Sequence, residues 1–247
     1  PRIIGGSPAS NSAFSFTGKM LARDPKYAGT TCTGTLITPS IVITTADCLI
    51  TSGNTWYNSN LVTVSFGSTL QDVYTARQLM ISDQYNSNTK HYNFGLIFLA
   101  QSVPSSVATP ARVYMGQPAA NTPVIAAGYG MTANTNGTYP SQLITVGLTL
   151  SSQSFCASKN SYFDSNSQIC TDGGSGKDTC PGDAGGPLLV PVDSSTYALL
   201  GVTSVSTIPK GSSNPYCGLP GSVGYYERIG FWVQWMVKNA NLTSSDI

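Results

Sequence analysis

The run DTCPGDAGGP, from Asp178 to Pro187, packs three glycines, two prolines, two aspartates and a cysteine into ten residues. It is the last of four short runs that have to be read together. The others are Arg2-Ile3-Ile4-Gly5-Gly6, Thr44-Thr45-Ala46-Asp47-Cys48 and Tyr92-Asn93-Phe94-Gly95-Leu96-Ile97. Any one of them alone carries little weight; their order and separation carry much more. The sequence between them reads as strands. Residues 35–45 (TLITPSIVITT) are rich in β-branched side chains, 61–66 alternate apolar and polar, and 94–99 form the short apolar run of a strand buried on both faces. Residues 124–129, 143–150, 187–192 and 198–205 repeat the pattern. Turn-rich clusters at 51–54, 85–89, 134–137 and 173–177 separate them. Many short strands with polar turns predict an all-β barrel or sandwich. One exception is 228–240, where Phe231, Trp232, Trp235, Met236 and Ala240 recur at helical spacing and predict a C-terminal helix.

Composition narrows the function. Charged residues make up 9% of the 247, against about 25% in an ordinary soluble domain. The net charge of +1 gives no electrostatic support to a nucleic-acid partner. No run approaches the ~18 apolar residues of a membrane helix. The start of the chain shows no basic-then-apolar leader, so any signal peptide is expected to be already removed. Six cysteines, at 32, 48, 156, 170, 180 and 217, fit a disulfide set and an oxidising compartment. His91 is the single histidine and there is no C-x-x-C, so a zinc site lacks ligands and no cofactor is expected. Sequons at Asn136 and Asn241 agree with a secreted, extracellular glycoprotein.

Taken together, the four runs resemble the chymotrypsin/trypsin family of serine proteases, whose motifs are I/V-V-G-G, T-A-A-H-C, D-I-A-L and G-D-S-G-G-P. The resemblance covers almost the whole chain. It implies a single domain over 1–247: two six-stranded antiparallel β-barrels at 3–110 and 111–227, with a C-terminal helix at 228–241. It also implies the disulfides Cys32–Cys48, Cys156–Cys170 and Cys180–Cys217, and an active site in the groove between the barrels.

The departures fall on the chemistry. A protease of this kind needs a serine to attack the carbonyl, a histidine to relay its proton and an aspartate to hold the histidine. At the corresponding positions this chain has Ala184, Asp47 and Asn93. Ala184 has no nucleophilic atom, Asp47 is a short acid in place of a base, and Asn93 carries no charge. Losing a whole triad costs about 10⁶-fold in rate. His91 is the only imidazole available to substitute, and an edge or surface role is the plainer reading. Ser175 and Ser204 fall near the site by the family pattern, but neither has a base beside it. Three changes at three positions look natural, although a laboratory change at Ala184 alone would leave the other two standing.

Other parts survive. Gly182 and Ala184 match the positions whose backbone amides form the oxyanion hole. Asp178 matches the base of the specificity pocket, with Ser204, Ser206 and Gly224 along its wall. Val205-Ser206 replaces the family's Trp-Gly, and an insertion at 207–216 precedes Cys217. Asp178 is then either a cation receptor or an inherited acid, solvated or hydrogen-bonded, with no ligand. Because Arg2 still precedes Ile3, the α-amine that would pair with Asp183 is blocked, and no Ile3–Asp183 ion pair is expected. Trp56-Tyr57 is read either as an anchor for a sugar or protein or as barrel packing. The expectation is a monomeric, non-catalytic homologue that binds another protein as inhibitor or decoy. The alternatives are an active trypsin-like endopeptidase with atypical or engineered residues, and a carbohydrate-binding protein.

Overall fold

The computed structural model describes residues 3–9, 12–131, 139–174, 176–194, 196–207, 217–243 and 246. The first barrel is closed. It is built from β2 (Thr17–Ala22), β3 (Thr30–Thr38), β4 (Ile41–Thr44), β5 (Val62–Phe66), β6 (Asp72–Ile81) and β7 (Gly95–Leu99), paired in the order β2-β3-β4-β7-β6-β5. Met20, Leu36, Val42, Ile43, Val62, Val64 and Leu96 of these strands are all fully buried. The β-branched run at 35–45 is two strands rather than one. Pro39, which lacks an amide donor, and Ser40 turn the chain between β3 and β4.

The second sheet takes β8 (Arg112–Val113), β9 (Pro123–Gly128), β10 (Ile144–Thr149), β11 (Gln168–Asp172), β12 (Pro187–Pro191), β13 (Tyr197–Thr207) and β14 (Val223–Arg228). It also takes β1 (Ser7–Pro8), which pairs with β10. Six of these strands follow the path β10-β9-β12-β13-β14-β11, and a lone Leu150–Thr171 bridge brings its two ends together. The first residues therefore correct the expected boundary: 3–9 were assigned to the first barrel but belong to the second. Ile3 accounts for this, because its side chain is fully buried among Val124, Ile144, Leu188 and Tyr226.

Two helices complete the chain. Short α1 (Gln153–Lys159) starts at Ser152, whose Oγ accepts from the Phe155 amide at 3.2 Å. The C-terminal α2 (Ile229–Ala240) ends at Asn241 in the left-handed region, φ 53°. Trp232 of α2 lies parallel to Phe94 with ring centroids 4.6 Å apart. One apolar core thus runs from the first barrel to the helix. Disulfides join Cys32–Cys48, Cys156–Cys170 and Cys180–Cys217, as the resemblance implied. Each typically contributes about 2–4 kcal/mol. Among the described residues, no helix is long and apolar enough to cross a membrane.

Candidate functional site

The three substituted positions come together where the barrels meet. Asp47 stands in a 3-10 turn, Ala46–Leu49, directly after β4. Its backbone amide donates to Asn93 Oδ1 at 3.0 Å. Asn93 is fully buried just before β7, and its Nδ2 donates to Ser204 Oγ at 3.0 Å. Ala184 is reached from the same turn, since Cys48 Sγ lies 3.7 Å from the Ala184 carbonyl oxygen. The Thr33 amide of β3 also donates to that oxygen, at 2.9 Å. Asn93 is therefore held on both sides of its amide, yet has no charge to offer an imidazole, and none stands next to it.

His91 does not substitute. Its Nε2 lies 4.0 Å from Asp164 Oδ2, and its ring stacks on Tyr92 at 4.3 Å. What faces Asp47 is Lys90, with Nζ 3.8 Å from Asp47 Oδ2. Lys90 Nζ also donates to the Tyr85 hydroxyl at 3.2 Å. Sequence reasoning missed both residues: Tyr85 lay in a stretch read only as a turn cluster, and Lys90 just past it was not singled out.

The turn around Ala184 keeps its shape. Gly182 and Gly185 have φ of 98° and 85°, values that L side chains rarely adopt. Among the described residues, the amides of Gly182 and Ala184 donate no hydrogen bond, so two backbone donors remain available. Asp183 is fully buried, with its two oxygens accepting from the amides of Gly130 at 2.7 Å and Cys180 at 2.8 Å. Burial pushes its carboxyl up to about 7 against the pull of those two bonds.

The pocket end is saturated from within. Asp178 is fully buried; Oδ1 accepts from the Thr179 amide at 2.9 Å. Oδ2 accepts from the Gly218 amide at 3.1 Å and the Ser222 hydroxyl at 3.0 Å. Burial raises its pKa, and these three bonds oppose the rise. Three donors from its own chain thus reach the Asp178 carboxyl. Gly224 pairs with Ser206 across β14 and β13, where Ser206 is exposed and Ser204 is buried.

A further acid was not anticipated. Glu227 on β14 is fully buried and takes the Asn93 amide at 3.3 Å, Gln168 Nε2 at 3.2 Å and Trp232 Nε1 at 3.1 Å. Burial pushes it up to about 7. It ties the Asn93 backbone to the second barrel and to α2. Nothing in the sequence analysis singled it out.

The Trp56-Tyr57 pair divides. Tyr57 is buried, with its hydroxyl 2.8 Å from Thr30 Oγ1, whereas Trp56 is 51% exposed. Asn241 caps α2 at the surface. Ser175, Asn136, Arg2 and most of the insertion, 208–216, lie outside the described residues. Among the described residues, no three metal-ligating side chains cluster.

Comparison with known proteins agrees with this architecture. The Trypsin family pattern matches residues 3–230. The chain is 29% identical to "Trypsin beta" of Drosophila erecta over 252 residues, covering 97% of this chain and 88% of that protein. It is also 29% identical to "Trypsin alpha" of Drosophila melanogaster, with the same coverage. "Transmembrane protease serine 11G" of Rattus norvegicus is 26% identical over 98% of this chain, which matches 56% of that longer protein. On the family pattern, the closed barrel beside a second antiparallel sheet and the three disulfides, the chain belongs to the trypsin family.

Proposed function

We propose that this protein is a secreted, non-catalytic trypsin homologue that works by binding another protein. One observation carries the reading. Ala184, Asp47 and Asn93 occupy the three positions where the chemistry requires a nucleophile, a base and a charged orienting group. The local geometry supports it. The sole imidazole lies against Asp164, and a lysine faces Asp47 instead. The amides of Gly182 and Ala184, which donate no hydrogen bond among the described residues, leave a scaffold able to stabilise an anion without anything to attack a carbonyl. Secretion is favoured by the three disulfides. Surface loops with exposed aromatic groups suit recognition of a protein, as an inhibitor or decoy does.

The relatives named trypsin favour a second reading, an active endopeptidase. Restoration separates the two. The combined variant Asp47→His, Asn93→Asp, Ala184→Ser is expected to gain hydrolysis of a fluorogenic peptide, about 10³-fold or more over the unaltered chain. The unaltered chain should instead hold a partner from the surrounding secretome in a complex stable to gel filtration, with no fragments released. Equal hydrolysis by both proteins would refute the proposal. Glycan binding that vanishes in Trp56→Ala would replace the protein partner with a carbohydrate.

A further inference from the structure

Asp47 is poorly served for a carboxylate. Its Oδ1 is shielded from solvent and has no hydrogen-bond partner. Its Oδ2 has Lys90 Nζ at 3.8 Å, beyond hydrogen-bond reach. An ionised carboxylate accepts about four hydrogen bonds, and this one accepts none from the described residues. Yet the pair is not sealed away: the side chains of Asp47 and Lys90 remain 24% and 39% exposed. Asp178 shows the contrast, because its oxygens are filled by Thr179, Gly218 and Ser222.

The loop carrying Lys90 is built to hold the amine near Asp47 without docking it. Asn86 Oδ1 accepts from the amides of Asn88 at 3.0 Å and Thr89 at 3.2 Å. The Lys90 amide donates to the Asn86 carbonyl at 2.8 Å, and the Asn86 amide to that of His91 at 3.1 Å. Lys90 and Tyr92 both adopt the left-handed region, with φ of 56° and 53°. Tyr92, stacked at 6.0 Å on Phe231, fixes the far side. The ammonium is drawn sideways to the Tyr85 hydroxyl at 3.2 Å and lies 5.9 Å from that ring's centroid. Tyr85 keeps its proton, since burial and the Asp47 charge push its pKa up. The only positive charge paired with Asp47 among the described residues is therefore held off at arm's length.

We propose that Asp47 is a cation-binding subsite for the ammonium or guanidinium of a basic side chain on a protein partner, and that Lys90 is its displaceable internal cap. The proposal rests on the non-catalytic reading of the same cleft and names the chemistry of what that cleft receives. A partner's lysine or arginine that swings Lys90 aside gains the carboxylate. Such a contact weakens with salt.

The test is an amide-detected ¹H–¹⁵N NMR titration at constant ionic strength, with n-butylammonium and n-butylguanidinium as probes and n-butanol as the neutral control. Both cations should shift the Asp47 and Asn93 amides saturably, whereas butanol should not. Lys90→Met should tighten the apparent Kd about threefold or more, by removing the competitor. If that variant loses its dispersed spectrum, Lys90→Gly, which accepts the left-handed backbone, serves the same purpose. Asp47→Asn should abolish the shifts while keeping the spectrum of a folded protein. Shifts that persist in Asp47→Asn, that centre on Thr179 and Ser222, or that do not tighten in either Lys90 variant overturn the proposal alone. Cleavage of a peptide by the unaltered protein would overturn the reading beneath it, and is seen as released product rather than as a shift.

Discussion

The acids around the Ala184 turn and at Asp47 have opposite character. At the pocket end, Asp178 and Asp183 are fully buried, and five donors from their own chain fill their oxygens. At the substituted centre, Asp47 is partly exposed and its carboxylate is bonded to nothing but a loose charge pair. The acids differ in who supplies the partners. The buried carboxylates are structural members, whereas Asp47 keeps one shielded, unpartnered oxygen and one oxygen facing Lys90.

The largest expected effect lies at the pocket end. Asp178→Ala leaves the Ser222 hydroxyl and the amides of Gly218 and Thr179 without an acceptor. It should cost about 2–4 kcal/mol, at roughly 1–3 kcal/mol for each uncompensated group after partial rescue by water. Asp47→Ala breaks only an exposed pair and should stay within about 0.5 kcal/mol. Denaturant unfolding measures both, and equal losses would erase the contrast.

Next in size is the pH response. Asp183 and Glu227 are both pushed up to about 7, from ordinary carboxylate values of 3.8 and 4.5. In that interval the folded chain binds more protons than the unfolded one, so stability falls as pH rises from about 4 to 7. A shift of even one unit at each group amounts to about 1.4 kcal/mol apiece, or a fall in Tm of roughly 2–4 °C for each kcal/mol. Thermal scans across that range should show the decline, and Glu227→Gln should make it shallower. A Tm that climbs between pH 4 and 7 would contradict burial outweighing the hydrogen bonds at these two carboxyls.

The smallest effect is at the surface. Trp56→Ala removes a half-exposed ring and should change stability by less than about 0.5 kcal/mol. Tyr57→Phe removes a buried hydroxyl bonded to Thr30 and Ala28 and should cost about 1 kcal/mol. Adjacent aromatic residues would then differ in the direction their burial dictates.

These residues also mark how far the sequence could be read. The barrels, the disulfides and α2 were legible because strand alternation, helical spacing and four ordered motifs all pointed one way. The strand β6 was missed because its ten residues lie mostly on the surface and carry no apolar alternation. The placement of 3–9 was missed because only the buried Ile3 anchors it, through contacts distant in sequence. Within the site, Asp47, Asn93 and Ala184 followed from the motifs. Lys90, Tyr85 and Glu227 did not, since their meaning comes from loop geometry and from a barrel-to-barrel hydrogen bond. The inward saturation of Asp178 was equally invisible: the Gly218 amide and Ser222 lie 40 and 44 residues away along the chain.

The most direct test is steady-state kinetics of the purified, unaltered chain on fluorogenic peptides ending in lysine or arginine, with an Asp178→Asn control to expose contaminating protease. No saturable hydrolysis above the control is expected at any concentration of chain. Saturable turnover near about one per second, within the ordinary range for enzymes, and lost in the control, would contradict the absence of a nucleophile and a base.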